Sequence, residues 1–487
     1  MTKNTDDGNP ETLRSSRMNQ TTRGVIVLIG AVLIHITLGV LYCFGNFSTY
    51  LVSFLRSRTS YDEVRFTNTQ WILTLTVCGQ GTTMFVGGLL ERKIGTRLTI
   101  LFGCVFHTLT AALSFYAVHS FYSLIITYGL LFGFGIGIAY SPSMTLAMKW
   151  LPTYKGVVAG SVVAGFGMGA MVFNPIITTF INPNNTSPEY APYADHPSEK
   201  YFKDPENKAI LDRVPYCFLV MAAFFVGLQT IGNLLLKQAP VIFEDFYESG
   251  DNGVSPSLQQ DSTASSHLLQ EGATGELSPL QIIKHRDFWI LWFTFVCNNQ
   301  GICYVSTYWK SFGQGFISDD LFLAAIGSAA SIGNAISRII WGGFGDKLGF
   351  KVAMCSLQAI FALLHIVMYF TSLHGKWGYA VFVFCLFFCV GGSFSLLPAA
   401  TIRRFGTLHS TANYGLVFTA AVVGSLLNLL IANVAIGHGM SQQHVQWIVA
   451  VFLVIGCVNS AFFKFRGCPC VRQRGEDYGY SSVPYSE

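Results

Sequence analysis

One charged side chain lies well inside a long apolar stretch of the sequence. Arg338 falls within residues 321–342, and the residues that precede it at helical spacing are Gly327, Ser331 and Asn334. In an α-helix these positions share one face. A guanidinium can pair with a carboxylate through two parallel hydrogen bonds, and no Asp or Glu lies deep within an apolar stretch. The pattern therefore predicts that Arg338, with Asn334 and Ser331 beside it, binds the carboxylate of a ligand.

A second polar stripe repeats the same spacing in another apolar stretch. Its members are His35, Gly39, Tyr42 and Asn46. Histidine can change its charge near neutral pH, so His35 is a candidate proton relay, and all three of His35, Tyr42 and Asn46 are candidate ligand contacts. A structural role is the alternative for both stripes, because Arg338 could reach the polar end of its helix and His35 could stay neutral in a hydrogen bond.

The composition excludes an ordinary soluble protein. Of the 487 residues, 51% are apolar and 11% are charged, and the mean hydropathy is +0.45. About a quarter of the residues of a soluble domain are charged, because its surface faces water. The sequence also has no nucleophile motif, metal-ligand cluster or phosphate-binding loop. We therefore predict no enzyme, no cofactor or metal, and no nucleic-acid partner.

Twelve apolar stretches are long enough for a helix to cross the hydrocarbon core of a bilayer. Runs of this length are not the strands of a barrel, so helices must satisfy the backbone within lipid. The stretches predict an all-α polytopic membrane protein with the lipid bilayer as a partner. They lie at 24–48, 70–90, 98–118, 122–148, 156–181, 214–236, 288–309, 321–342, 351–372, 378–400, 412–436 and 444–464.

The distribution of Lys and Arg predicts the orientation of the chain. These residues are concentrated in the two tails and in the loops on the same side, which the positive-inside rule assigns to the cytosol. The loop 182–213 would then lie outside, where Asn184 and Asn185 are candidate glycosylation sites. We predict the plasma membrane as the place of residence, with an endomembrane as the alternative.

The sequence divides into two halves. The segment 237–286 is rich in Ser, Gln, Gly and acidic residues, which predicts a disordered cytosolic linker. It separates 24–236 from 287–465, and each of these halves contains six of the apolar stretches. Residues 1–23 and 466–487 are predicted to be cytosolic tails.

Both halves carry the same short motif after their second apolar stretch. Its glycines would let helices pack closely and its charges would hold their cytosolic ends. The residues are Gly88, Arg92 and Gly95 in the first half, and Gly342, Asp346, Lys347 and Gly349 in the second. A twelve-span chain with this motif at both places resembles the major facilitator superfamily, which implies two pseudo-symmetric six-helix halves and transport by alternating access. Arg92 stands where that family has an Asp, so the resemblance does not predict an inter-helix ion pair there.

Three segments resemble a narrower branch, the oxalate:formate antiporter family and the related monocarboxylate porters. They are 155–175, 331–349 and 403–424. The resemblance implies an essential arginine at Arg338. Those porters have an Asp where this chain has Asn334, and the antiporter has a second cation near Ala421. One cation instead of two favours a monocarboxylate over a dicarboxylate, and the missing Asp argues against proton coupling through a carboxylate.

These observations together predict a secondary-active or facilitative transporter of a small organic anion that works by alternating access. The favoured substrate is a monocarboxylate of the pyruvate, lactate or formate type, with protons as a candidate coupling ion. One alternative is a non-transporting receptor on the same fold. Another is a carrier of a neutral solute or of oxalate.

Overall fold

The computed structural model describes residues 10–151, 155–184, 186, 188–192, 200–238, 276–314, 316–317, 319–368, 370, 375–437, 440 and 442–463. The predicted C-terminal tail, the first nine residues, most of the linker and Asn185 lie outside the described residues.

The described residues form twelve long helical spans, named span 1 to span 12 in chain order. Span 1 consists of helices Pro10–Leu38 and Phe44–Arg58, joined by the 3-10 segment Gly39–Cys43. Span 4 consists of Phe121–Leu124, the π-helical segment Ile125–Leu131 and Phe132–Trp150. Spans 2, 3, 5 and 6 are Phe66–Ile94, Thr96–Ala117, Lys155–Ile181 and Lys208–Leu235. After the short helix Pro279–Ile282, spans 7 to 12 are Arg286–Gln314, Asp320–Leu348, Phe350–Val367, Gly375–Phe405, Ser410–Gly437 and Gln442–Ala461.

The distribution of polar and apolar side chains fits a lipid environment. Ten of the described helices are long and apolar enough to cross a membrane by length and composition. Spans 7 and 8 carry Asn298, Asn299 and Arg338 in their interiors. The outer surface is apolar, with Leu98 58% and Val381 66% exposed, whereas Arg338 is fully buried. Polar groups therefore face the interior of the helix bundle, as expected for ionisable residues within a membrane protein.

The two halves meet along two equivalent helix pairs. Span 2 packs against span 11, and span 5 packs against span 8. The first glycine of each motif copy lies in one of these contacts. A Cβ atom on Gly88 would come within 2.5 Å of the backbone nitrogen of Ala412, and one on Gly342 would come within 2.6 Å of the carbonyl oxygen of Gly156. A larger residue at either place would push the two halves apart.

The remaining motif residues differ between the two copies. Gly95 and Gly349 follow the ends of spans 2 and 8 with φ angles of 84° and 83°, which favour glycine. In the second copy, Asp346 forms an ion pair with Arg403 of span 10. In the first copy, Arg92 is exposed and makes no ion pair to another helix within the described part of the chain. The charged contact therefore joins helices of the second half alone.

The segment after span 5 folds back onto the end of span 1. Arg58 forms an ion pair with Asp204 at 2.8 Å, and Tyr201 and Phe202 are buried against the bundle. Asn184 is exposed in this segment. The side chain of one of the two candidate glycosylation sites is thus exposed.

Candidate functional site

Arg338 lies fully buried where the two halves meet, and its hydrogen-bond partners among the described residues are neutral. Its Nε donates to Asn334 Oδ1 at 2.9 Å on the same helix. Nη1 donates to the carbonyl oxygen of Val163 on span 5 at 2.8 Å, and Nη2 donates to the hydroxyl of Tyr42 on span 1 at 3.1 Å. The guanidinium of span 8 therefore bridges to the first half, and its charge is not balanced by an acid among these partners.

Two glycines on neighbouring helices make room for this side chain. A Cβ atom on Gly167 of span 5 would come within 3.0 Å of Asn334 Oδ1 and 3.3 Å of Arg338 Nε. A Cβ atom on Gly391 of span 10 would lie 3.1 Å from Arg338 Cγ. Close helix contact at small residues is the usual packing mode in membranes. Here it also fixes the direction in which the guanidinium points.

Aromatic rings surround the guanidinium. Arg338 Cζ lies 4.9 Å from the ring centre of Phe394, 5.8 Å from Tyr42 and 5.9 Å from Phe166. Rings at such distances attract a cation electrostatically. Phe166 and Phe394 were not predicted from the sequence, because a phenylalanine in an apolar helix carries no signal of its own. The three rings come from spans 1, 5 and 10 and meet only in the folded chain.

Two buried tyrosines next to this cluster have hydroxyl groups without a partner in the described residues. They are Tyr140 of span 4 and Tyr414 of span 11, and both lie within electrostatic range of Arg338 and Tyr42. An unsatisfied buried polar group costs roughly 1–3 kcal/mol. A buried hydroxyl without a partner is free to donate a hydrogen bond to a ligand. The sequence did not single out Tyr140, since tyrosine is common in membrane helices.

His35 borders the same cluster from span 1. It is fully buried, and its ring centre lies 4.7 Å from that of Tyr140. Its Nδ1 is 3.0 Å from the carbonyl oxygen of Ala31 and 3.5 Å from the hydroxyl of Ser143. Arg338 is within electrostatic range of the ring. The structure therefore brings together four of the predicted residues: Arg338, Asn334, Tyr42 and His35.

The other predicted contacts make their hydrogen bonds elsewhere. Ser331 Oγ donates to the carbonyl oxygen of Gly327 in its own helix at 2.9 Å. Asn46 Nδ2 donates to Thr178 Oγ1 at 2.9 Å, which joins span 1 to span 5. These bonds are typical of structural polar groups in membrane helices.

The position of the expected second cation is apolar and buried. Ala421 of span 11 is 2% exposed, and its carbonyl oxygen accepts a hydrogen bond from Asn299 Nδ2 at 3.2 Å. Among the described residues, Arg338 is the one Lys or Arg that is buried. The site can therefore balance one negative charge through a fixed cation.

Comparison with known proteins agrees with this architecture. A family model described as Major Facilitator Superfamily matches residues 24–429. The chain is 28% identical over 475 residues to apicoplast pyruvate carrier 1 of Toxoplasma gondii, covering 86% of each protein. It is 21% identical over 342 residues to the oxalate:formate antiporter of Oxalobacter formigenes, covering 70% of this chain and 69% of the antiporter.

A solved structure has the same fold. The fucose:proton symporter of Escherichia coli superposes with a TM-score of 0.60 at 11% identity, covering 90% of this chain and 98% of the symporter. At such low identity the likeness concerns the fold alone. Together with the family match over most of the spans, it leads to one conclusion: the chain belongs to the major facilitator superfamily and is a membrane transporter, not an enzyme.

Proposed function

We propose that the chain carries a small monocarboxylate of the pyruvate, lactate or formate type by alternating access, with Arg338 binding the carboxylate. The observation that carries this proposal is the burial of Arg338 among neutral partners where the halves meet. An arginine within a membrane costs about 2.5–3.5 kcal/mol on insertion scales, so such residues are commonly functional. A carboxylate that enters from water would supply the negative charge that the neutral partners of Arg338 lack.

The groups around Arg338 suit a ligand with one carboxylate and a short apolar substituent. The guanidinium and the hydroxyls of Tyr42, Tyr140 and Tyr414 can donate to the carboxylate oxygens. The rings of Phe166 and Phe394 supply apolar walls for a methyl group. The second negative charge of a dicarboxylate would have no cation to pair with, since the apolar Ala421 stands near the place where the antiporter has its second cation. The names of two relatives, a pyruvate carrier and an oxalate:formate antiporter, support the class of small carboxylates.

The arrangement of contacts suits alternating access. Arg338 binds Tyr42 and Val163 of the first half, so a substrate that replaces these bonds changes how the halves hold together. Contacts between the halves lie on both sides of this point. Thr145 and Thr411 share a hydrogen bond at the end that also holds Gly88, and Tyr308 is hydrogen-bonded to Gln70 at the opposite end. In the proposed cycle the halves rock about the bound anion, and the two sets of contacts open in turn.

A proton is the coupling ion that the site could accept, with His35 as its relay. The cytosolic placement of both termini follows from the charge distribution and is part of the proposal. The plasma membrane remains the predicted residence. The relative that is named for the apicoplast makes an organellar membrane the second candidate.

Counterflow in proteoliposomes tests the proposal. Vesicles containing the purified chain and preloaded with one unlabelled acid should accumulate labelled pyruvate, lactate or formate, and oxalate should compete weakly. Lys208→Ala is a matched control, because Lys208 is exposed and belongs neither to the motif nor to the contacts of Arg338. If no acid accumulates while the protein is correctly inserted, the carrier proposal fails and a receptor on the same fold is the better reading.

A further inference from the structure

A carboxylate near the end of the linker segment is bound by the turn between spans 10 and 11. Glu276 Oε1 accepts hydrogen bonds from the backbone nitrogen and the hydroxyl of Thr407 at 2.8 and 3.1 Å, and Oε2 accepts one from the backbone nitrogen of Leu408 at 2.8 Å. Gly406 makes room for this carboxylate, because its φ angle is 91° and a Cβ atom there would overlap Glu276 Oε2. Successive backbone N–H groups in such a turn form a concave site for an anion.

The backbone that follows Glu276 is bound to the same turn. The nitrogen of Leu277 donates to the carbonyl oxygen of Phe405 at 3.0 Å. Asn413 Nδ2, in the first turn of span 11, donates to the carbonyl oxygen of Leu277 at 2.8 Å. Ile282, at the end of the short helix, is fully buried. Residues 276–282, named the latch here, therefore hold residues 405–413 through a carboxylate, an N–H group and a carbonyl.

The turn that the latch holds lies at the motif end, which is the end of the bundle with both copies of the glycine motif. On one side of the latch, Arg403 forms an ion pair with Asp346, whose carboxylate lies against Gly156 of the first half, since a Cβ atom on Gly156 would overlap it. On the other side, Thr411 shares a hydrogen bond of 2.9 Å with Thr145 of span 4. Both flanks of the latched turn therefore take part in contacts between the halves.

The carboxylates near the starts of spans 5 and 11 come from different places in the chain. Asp346 of the second motif copy reaches the start of span 5 from the other half. The corresponding residue of the first motif copy is Arg92, which has no carboxylate to offer span 11. Glu276 supplies that carboxylate from the linker segment. The linker is therefore connected to one of the two places where the halves meet at the motif end.

We propose that the latch is a control element of the transport cycle: bound to the turn, it holds the motif end closed, and its release allows the halves to separate there. Closure requires the contacts of Asp346 with Gly156 and of Thr411 with Thr145 to form together. A turn that Glu276 already orders loses less conformational entropy when both contacts form. The latch therefore stabilises the closed conformation more than the open one, which is the condition for shifting the equilibrium between them. The proposal holds whichever substrate is carried.

A distance measurement across the motif end tests the latch. Spin labels are attached by bioorthogonal chemistry at positions 97 and 351, where the exposed Arg97 and Lys351 lie in the first turns of spans 3 and 9, one in each half. The full chain is measured in lipid nanodiscs by electron–electron double resonance. In Glu276→Gln the side chain keeps its size but loses its charge. We expect the ratio of separated to closed conformations to rise about 10-fold, since a hydrogen bond to a charged group is lost.

Gly406→Ala removes the latch from the other side of the contact. The added Cβ atom would expel the Glu276 carboxylate from the turn, so this variant should also lengthen the distance between the labels. The two variants alter different partners of one contact. A distance between the labels that stays unchanged in both variants would overturn the proposal.

Asp319→Asn is the matched control. The Asp319 carboxylate also accepts a hydrogen bond from a backbone N–H group at the start of a helix, that of Phe322 at 3.0 Å, but span 8 starts at the opposite end of the bundle. This variant should leave the distance between positions 97 and 351 unchanged. Melting temperatures are measured on the same samples. An equal shift of the distance in Asp319→Asn, or a lower melting temperature in Glu276→Gln without any shift, would assign Glu276 a purely structural role and overturn the proposal.

Discussion

Arg338 donates its hydrogen bonds to the side-chain amide of Asn334, a backbone carbonyl and the phenol of Tyr42, and none of these acceptors is charged. A permanent carboxylate partner would compete with an anionic substrate for the guanidinium. Neutral acceptors stabilise the empty site, yet an anion can displace them at low cost because charge-assisted hydrogen bonds are stronger. The side chain is therefore stable when the site is empty and still available to a substrate.

Replacement of Arg338 is the most direct test of its role. Arg338→Ala should reduce uptake of every anionic substrate about 100-fold or more, since each hydrogen bond to a charged group contributes roughly 1.5–3 kcal/mol. Insertion should be retained, because removing a buried cation relieves an unfavourable term. Arg338→Lys keeps the charge but loses the planar fork, so it should also be severely impaired. Uptake and surface labelling are measured together, and ordinary uptake by well-inserted Arg338→Ala would rule out carboxylate binding there.

Tyr140 and Tyr414 allow substrate binding to be separated from structural stability. Their hydroxyls have no partner in the described residues, so Tyr140→Phe and Tyr414→Phe should leave the melting temperature unchanged or raise it slightly. Each variant should nevertheless bind pyruvate about 10-fold or more weakly, because a hydroxyl that donates to a carboxylate is lost.

Tyr379 serves as a control, because its replacement should lower stability without changing affinity. Its buried hydroxyl donates to the carbonyl oxygen of Trp309 in the second half. Tyr379→Phe should therefore lower the melting temperature and leave pyruvate affinity unchanged. Thermal unfolding and calorimetry on the same samples measure both quantities. If the Tyr140 and Tyr414 variants lose stability but not affinity, their hydroxyls are structural.

Sequence reasoning found four polar residues of the candidate site but missed Tyr140, Phe166 and Phe394. Arg338, Asn334, Tyr42 and His35 were detectable because a polar stripe within an apolar helix is unusual. Phe166 and Phe394 look like any lipid-facing or core phenylalanine along the chain. Their role depends on how spans 5 and 10 approach Arg338, which is a tertiary contact that no local spacing encodes.

At the scale of helices, the interruption of span 1 was the main feature that the sequence did not predict. The apolar stretch 24–48 indicated one continuous helix, whereas a 3-10 segment occupies Gly39–Cys43 and the helix continues to Arg58. A Cβ atom on Gly169 of span 5 would come within 2.6 Å of the carbonyl oxygen of Gly39, so the backbones touch at this interruption. Tyr42 lies within the 3-10 segment, and the altered helix geometry contributes to the direction of its side chain.

The contact between spans 2 and 11 predicts the effect of a larger residue at Gly88. Gly88→Val should separate these spans at the ends predicted to be cytosolic and favour the conformation that is open on that side, since an added Cβ already meets the backbone of Ala412. Transport should fall severalfold. A cysteine introduced at Thr145, which is buried against Thr411, should react faster with a thiol reagent supplied from the cytosolic side.

A glycine on another helix serves as the control for Gly88. A Cβ atom on Gly227 of span 6 would meet nothing within 4 Å. Gly227→Val should change neither transport nor the labelling of the cysteine at position 145. Unchanged labelling in Gly88→Val as well would mean that this glycine does not limit opening at the cytosolic end.

At the scale of the whole molecule, the two halves are similar in architecture and different in chemistry. The spacing that relates Gly88 to Gly342 also relates Met84 to Arg338. Span 2 therefore presents a buried methionine where span 8 presents the cation. The charged contact between Asp346 and Arg403 also belongs to the second half. The second half thus supplies the fixed positive charge, and the first half supplies His35 and the phenols of Tyr42 and Tyr140.

The last prediction concerns the orientation of the chain in its membrane. The concentration of Lys and Arg in the tails and in the loops on their side predicts that both termini and the linker 237–286 are cytosolic. An epitope tag inserted in the linker should then be detected only after permeabilisation. If the chain travels through the secretory pathway, an endoglycosidase should increase its gel mobility, and Asn184→Gln combined with Asn185→Gln should abolish that change. A linker tag that is labelled on intact cells would reverse the orientation, and the segment that contains Asn184 would then face the cytosol.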